Sequence, residues 1–332
     1  MTDYTRPLEQ LSRSDEPSFG GKSANLGELL AAEIPVPPGF AISTAAYEAF
    51  VREAGLQETI ASASPASGDA MRAAPIPDDV RAEVSEQYAR LGDDVPVAVR
   101  SSAVGEDSAE ATFAGQQETY LWVRGADSVC DAVRDCWASL YSPTAISYRA
   151  RLGQADAPPA MGVTVQLMVD AEVSGVMFTC NPVSGDPSMV AINASWGLGL
   201  AVVGGEVTPD DYLVSKVTGE VVREHVHAKD VEYVPDSSGA GAARVDVPAE
   251  RRERACLDQP ALAHLVEIGK RVERHFGSRQ DIEWALARGG DKALFVVQAR
   301  PVTGLVKKPE KPKPASAMSL IMSTFGAGPQ KD

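Results

Sequence analysis

Apolar runs of strand length and amphipathic stretches of helix length follow one another in this chain without strict alternation. That order limits the folds open to it. Helical periodicity marks residues 22–32, 45–53, 79–91, 126–151 (broken near Ser142-Pro143) and 261–276, whereas VPVAV, ETYLWV, MGVTVQLMV, SGVMFT, MVAINAS, DIEWALA and ALFVVQA read as strands. A doubly wound parallel sheet is therefore disfavoured, and the expected class is α+β. The longest break in the pattern is AVRSSAVGEDSAEATFAGQ, residues 98–116, a small-residue loop rooted at Arg100 between two strands.

Several boundaries can be read locally. Ser43 or Thr44 is expected to cap the second helix, and Gly92 to end the third. Residues 56–77, rich in Ala, Ser and Pro, read as a variable connection. YLVSKVTGEVV predicts a hairpin around Thr218-Gly219, and Arg288-Gly289-Gly290 a turn between the last two strands. From about Thr303 the composition turns to Lys and Pro, the signature of an extended tail.

With 332 residues, 44% of them hydrophobic, the chain can build its own core. Cys130, Cys136, Cys180 and Cys256 show neither paired nor zinc spacing and read as reduced, buried thiols. MTDYTRPLEQ lacks the apolar run of a signal peptide, and no stretch of 18 apolar residues occurs, so a cytoplasmic location without membrane contact is expected. The formal charge of −15 argues against a nucleic-acid partner, which demands a basic footprint. A small anion held by a few local cations remains compatible.

Two nucleotide motifs are only superficially present. GGKS at 20–23 lacks the leading glycine of a P-loop, position 16 being Glu, although a helix start with Lys22 beside it can seat an anion. WGLG at 196–199 has Val202 in place of the third glycine of a dinucleotide fingerprint. It reads better as a loop allowing close backbone approach. The pair DIEWALA and VVQARPV carries more. Glu283 and Gln298 on adjacent strands offer the hard oxygens that suit Mg²⁺ with phosphate, and Arg300 shares the face of Gln298. In the 98–116 loop, Ser101, Ser102, Ser108 and Thr112 supply donors, and Arg100 a forked cation. A turn, a solvated strand face and a surface loop would each explain one feature alone. Their joint occurrence favours a phosphate-bearing ligand.

FGGKSANLGELL, VPPGFAIS, AVRSSAVGEDSAEATFAGQQETYL, SGVMFT-CNPVSGD, VTPDDY and DIEWALA…FVVQARPVT, in that order over about residues 8–303, resemble the N-terminal ATP-binding domain of the phosphoenolpyruvate synthase, pyruvate phosphate dikinase and rifampin phosphotransferase family. The resemblance implies an α+β ATP-grasp fold whose two lobes clamp ATP and Mg²⁺. It implies a first lobe over 1–190 that includes a lid loop at 100–116 and a second lobe with metal-binding strands over 191–303, while the Lys/Pro-rich composition of 304–332 predicts a disordered tail. By the same resemblance Lys22, Arg100 and Arg300 are the catalytic residues and contact phosphates, Arg300 stabilising the transferring group. Gly115 and Thr119 belong to the nucleotide lid, Gln166 lies toward adenine, Glu283 and Gln298 ligate the metal, and Asp281 supports the site.

The sequence departs from the family in two respects. Where relatives carry Ala-Thr-Ala-Glu-Asp after Arg-Ser-Ser, this chain has Ala103-Val104-Gly105-Glu106-Asp107, losing a hydroxyl and gaining a glycine. None of His225, His227, His264 and His275 sits in a Thr-x-His-Ala-like carrier motif. The expectation is thus an ATP-binding subunit of a split dikinase, passing the β-phosphoryl group to a histidine on a partner subunit that also holds the acceptor site. A phenolic compound is the first expected acceptor and pyruvate the second. The rivals are a conventional ATP-grasp ligase releasing ADP and a non-catalytic nucleotide sensor.

Overall fold

The computed structural model describes residues 3–61, 63–103, 118–151, 160–236, 239, 241–289 and 293–302. The expected tail, and Val104, Gly105, Ser108, Thr112 and Gly115 of the expected lid, lie outside the described residues. A first sheet holds β1 (Thr5–Pro7), β2 (Gly39–Ile42), β3 (Val97–Ala103), β4 (Thr119–Val123) and β5 (Met161–Leu167), in the order β1-β2-β5-β3-β4. The chain then builds β6 (Ala171–Phe178), β7 (Met189–Trp196), β8 (Asp210–Ser215) and β9 (Val221–His225). It makes a separate hairpin of β10 (Val231–Pro235) and β11 (Ala242–Asp246), and returns with β12 (Gln280–Ala287) and β13 (Leu294–Pro301). The second sheet runs β13-β12-β6-β7-β8-β9, and every ladder described is antiparallel. This is the α+β arrangement expected from the unalternated strands.

The first sheet packs on helices Thr44–Glu53, Pro65–Ala73, Asp78–Leu91 and Ala126–Ser139, with Trp137 fully buried and its ring stacked on Phe50 at 5.2 Å. The second packs on helix Gln259–Phe276, whose Leu262, Leu265, Val266, Gly269 and Val272 form one buried stripe at helical spacing. That helix starts where the Asp258 carboxylate accepts the Ala261 N–H at 2.9 Å and stops at Gly277 in the left-handed region, φ 66°. The N-terminal helix Gly21–Ala31 joins the two units: Leu26 and Leu29 belong to the core beneath the second sheet. All four cysteines are buried and free, and burial pushes the Cys130 thiol up to about 11. Among the described residues, no helix is long and apolar enough to cross a membrane.

Several expectations need correction. Residues 56–77 are not a bare connection: they contain helices Gln57–Ala61 and Pro65–Ala73, the second opened by Ser64 and Pro65. Ser43 does stand at the start of helix Thr44–Glu53, but its hydroxyl donates to the Asp3 carbonyl at 3.1 Å instead of capping. The chain changes sheets between Leu167 and Ala171, because β6 pairs with β7 and β12. The β10–β11 hairpin had no counterpart in the sequence reading.

Candidate functional site

Between the two sheets lies a cleft of about 490 Å³. Lys22, Arg100, Thr119, Gln166, Glu283, Gln298 and Arg300 all line it. They come from one helix and five strands spread over the whole described chain.

The strand register explains how β12 and β13 present their polar residues. On β12, Ile282, Trp284 and Leu286 fill the core, so Asp281 and Glu283 take the opposite face. On β13, Leu294 and Val296 face the core, and unbroken alternation would put Gln298 there too. The pairing instead passes from Glu283↔Gln298 to Trp284↔Val296, leaving Val297 as the extra residue of a β-bulge. The bulge reverses the alternation, so that Val297, Gln298 and Arg300 line the cleft while Ala299 enters the core. Glu283 is thereby opposite Gln298, and Asp281 opposite Arg300.

Arg100 arrives from the other sheet. Its guanidinium donates to Gln298 Oε1 at 2.8 Å, Glu283 Oε2 at 3.2 Å and the Val297 carbonyl at 3.0 Å. A single cationic group thus occupies the point on which the carboxylate and carboxamide oxygens converge. Arg100 Nε is buried with no hydrogen-bond partner among the described residues. Lys22, buried at the first turn of its helix, donates to the Ser101 carbonyl at 3.0 Å. That approach requires Gly20: a Cβ there would stand 2.0 Å from the Ser102 carbonyl oxygen, and φ is +80°. Arg300 Nε and Nη2 both reach Asp281 Oδ2 at 2.9 Å. Burial raises the Asp281 pKa above the usual carboxylate range, Arg300 pulls it back down, and Glu283 adds to the rise.

The same registers separate charged from apolar lining. Arg100 pairs with Thr119 and Thr164, whereas Val97 at the other end of β3 pairs with Leu167. Along β12 the cleft face passes from Glu283 to Ala285, and β6 beside it begins at Ala171. Leu121, Met168, Val169, Leu198, Leu200 and Val203 complete this apolar end. Sequence reading missed them, because apolar residues at strand ends carry no signal of which cavity they border. The WGLG loop does approach the cleft: Ser174 Oγ holds the Gly197 carbonyl at 2.6 Å, and Leu198 and Gly199 line the wall. Gln166 lies beside these residues with its Nε2 donating to the Pro37 carbonyl at 3.2 Å.

None of the four histidines lines the cleft. His275 pairs with Glu28 at 2.8 Å, His227 Nδ1 lies 2.8 Å from the Pro209 carbonyl, and His225 and His264 are exposed. Among the described residues no group of three or more His, Cys, Asp or Glu could hold a metal ion. A cation at Glu283 and Gln298 would therefore need oxygens from its ligand.

A profile of the family described as pyruvate phosphate dikinase, AMP/ATP-binding domain, matches residues 16–319. The chain is 39% identical over 349 residues to a probable phosphoenolpyruvate synthase of Methanothermobacter thermautotrophicus, covering 99% of the chain and 50% of the relative. A probable phosphoenolpyruvate synthase of Methanocaldococcus jannaschii is 39% identical over 346 residues, covering 97% and 29%. For the phosphoenolpyruvate synthase of Pyrococcus furiosus the identity is 36% over 385 residues, with 98% and 47% covered. The chain spans half or less of the length of these relatives.

Proposed function

The chain belongs to the AMP/ATP-binding domain family of pyruvate phosphate dikinases, and from that premise we propose that its cleft binds MgATP and passes the β-phosphoryl group to a histidine outside these residues. The balance is ATP, water and histidine giving AMP, phosphate and phosphohistidine. An ATP-grasp clamp, with the two sheets as its lobes, accommodates the nucleotide. The base rests against the apolar end, and the polyphosphate lies toward Lys22, Arg100 and Arg300.

One observation carries this reading. A cation from the first sheet bridges Glu283 and Gln298 of the second, so the pair is already arranged to receive positive charge. One carboxylate and one carboxamide oxygen, completed by phosphate oxygens, is a donor set that fits Mg²⁺. Glu283 and Gln298 would hold the ion, whose contribution is to neutralise charge on the phosphates. Arg100 would then turn its fork toward the phosphates, and Lys22 add a point charge beside them. Arg300, held by Asp281, would meet charge developing on the transferring group. Since no histidine of this chain faces the cleft, the receiving imidazole comes from a separate domain or subunit, as does the site for the final acceptor. A phenolic compound is the first candidate for that acceptor and pyruvate the second.

Calorimetry of ATP binding with and without Mg²⁺ tests the site. Wild-type protein should bind MgATP more tightly than free ATP. Glu283→Gln and Gln298→Ala should each lose most of that metal-dependent gain. A gain retained in both variants would remove them from the metal site.

A further inference from the structure

Between β3 and β4 the register moves from Val97↔Val123 to Val99↔Tyr120, so one residue of β3, Ala98, stands opposite two of β4, Leu121 and Trp122. Within this bulge Trp122 has φ 59°, in the left-handed region. Glycine and asparagine enter that region easily, but for a bulky side chain it costs about 1–3 kcal/mol, which persists only where the surroundings over-determine it. Here they do. Trp122 is buried to 5% exposure in a cluster apart from the core of its own sheet. Its neighbours there are Ala171, Leu198 and Ala285, with Met168, Val169 and Val297 packed against them.

All six of those neighbours line the cleft, and Trp122 does not. It is the large ring behind the wall. Its carbonyl accepts the Gly241 N–H at 3.4 Å, and Tyr233 and Ala242 of the β10–β11 hairpin close the cluster from behind. The charged lining stands apart, with Thr119 and Arg100 paired on the same two strands.

We infer that Trp122 is a positioning residue for nucleotide-base recognition. Its strained backbone turns the ring into the seam between the sheets, where it supports Leu198 and Ala285 against the base. This rests on the proposed nucleotide reading. A base stacked on that wall should feel the loss of the ring, whereas a ligand lacking the base should not.

Two probes separate the ends of the cleft: ATP, which has a base, and inorganic tripolyphosphate, which has none, each titrated with Mg²⁺ into the full chain. Trp122→Asn keeps a residue suited to positive φ while removing the ring. It should weaken ATP by at least about tenfold and leave tripolyphosphate within about twofold. Trp122→Phe, which keeps an aromatic ring, should restore ATP affinity to within about threefold of wild type. Unchanged ATP affinity in Trp122→Asn would overturn the inference, as would equal losses for both probes. If Trp122→Asn does not fold, Leu198→Ala reads the same wall from the cleft side. The same selective loss is expected there, and equal losses would count against the inference. Wild-type protein that fails to bind ATP would defeat the nucleotide reading itself, and this inference with it. Normal wild-type binding with an insensitive Trp122→Asn would defeat this inference alone.

Discussion

Replacing Arg100 with alanine should change stability, cation binding and nucleotide binding in three different ways. The guanidinium makes hydrogen bonds to Val297, Gln298 and Glu283, the last an ion pair whose carboxylate side chain is 30% exposed. At about 1 kcal/mol net per bond, and somewhat more for the charged one, the gross loss is about 3–4 kcal/mol. Glu283 regains water on truncation, and the unpartnered Nε ceases to be buried, so the net cost should be about 2 kcal/mol. For a chain of this size that lowers Tm by about 3 °C. Divalent cations should respond in the opposite direction. With no guanidinium competing for its two oxygens, the variant should bind Mn²⁺ without nucleotide about tenfold more tightly than wild type. MgATP should weaken by a comparable factor, since a phosphate contact is gone. Scanning calorimetry and two titrations cover all three. A variant with wild-type Tm and wild-type Mn²⁺ affinity would refute the bridging role. Parallel weakening of Mn²⁺ and MgATP would refute the competition.

Other substitutions probe separate parts of the account. Arg300→Ala should leave MgATP affinity within about threefold yet slow phosphoryl transfer on the order of 10²-fold, with Arg300→Lys only partly restoring it; single-turnover kinetics would show normal transfer if the role is wrong. Gly20→Ala combines positive φ with a backbone clash and should cost at least about 3 kcal/mol by urea unfolding, against about 1 kcal/mol at Gly55, where φ is +65° and nothing lies near. Because burial raises the Asp281 pKa, the stability linked to that group is full below the unfolded carboxylate range and is lost as pH rises through the folded value. Asp281→Asn should therefore show a flatter stability profile above about pH 4 and be no less stable than wild type at neutral pH. A steeper profile would contradict the shift.

Much of the candidate site was legible because its residues are polar on otherwise apolar strands. Glu283, Gln298 and Arg300 stood out in DIEWALA and VVQARPV, and alternation alone put Gln298 and Arg300 on one face. The bulge at Val297, which turns that face from the core to the cleft, depends on how two strands register and has no local signature. The same holds for Trp122, where ETYLWV reads as a plain strand and the left-handed residue appears only in the ladder with β3. Other elements do carry local signals. Ser64-Pro65 is a helix start inside a stretch judged by its composition, and VEYV and ARVDV flank a Gly/Ser-rich turn. The passage between sheets at 168–170 could not be read, since the apolar run MVDAEV continues through it.

The central claim is that this cleft presents ATP for transfer of its β-phosphoryl group to a histidine elsewhere. The native assembly containing this chain should be given ATP labelled at the β position, with nucleotide products and labelled protein followed together. The account predicts AMP as the nucleotide product and an acid-labile, base-stable label on a histidine outside this chain. ADP as the product, or label on His225, His227, His264 or His275, would contradict it.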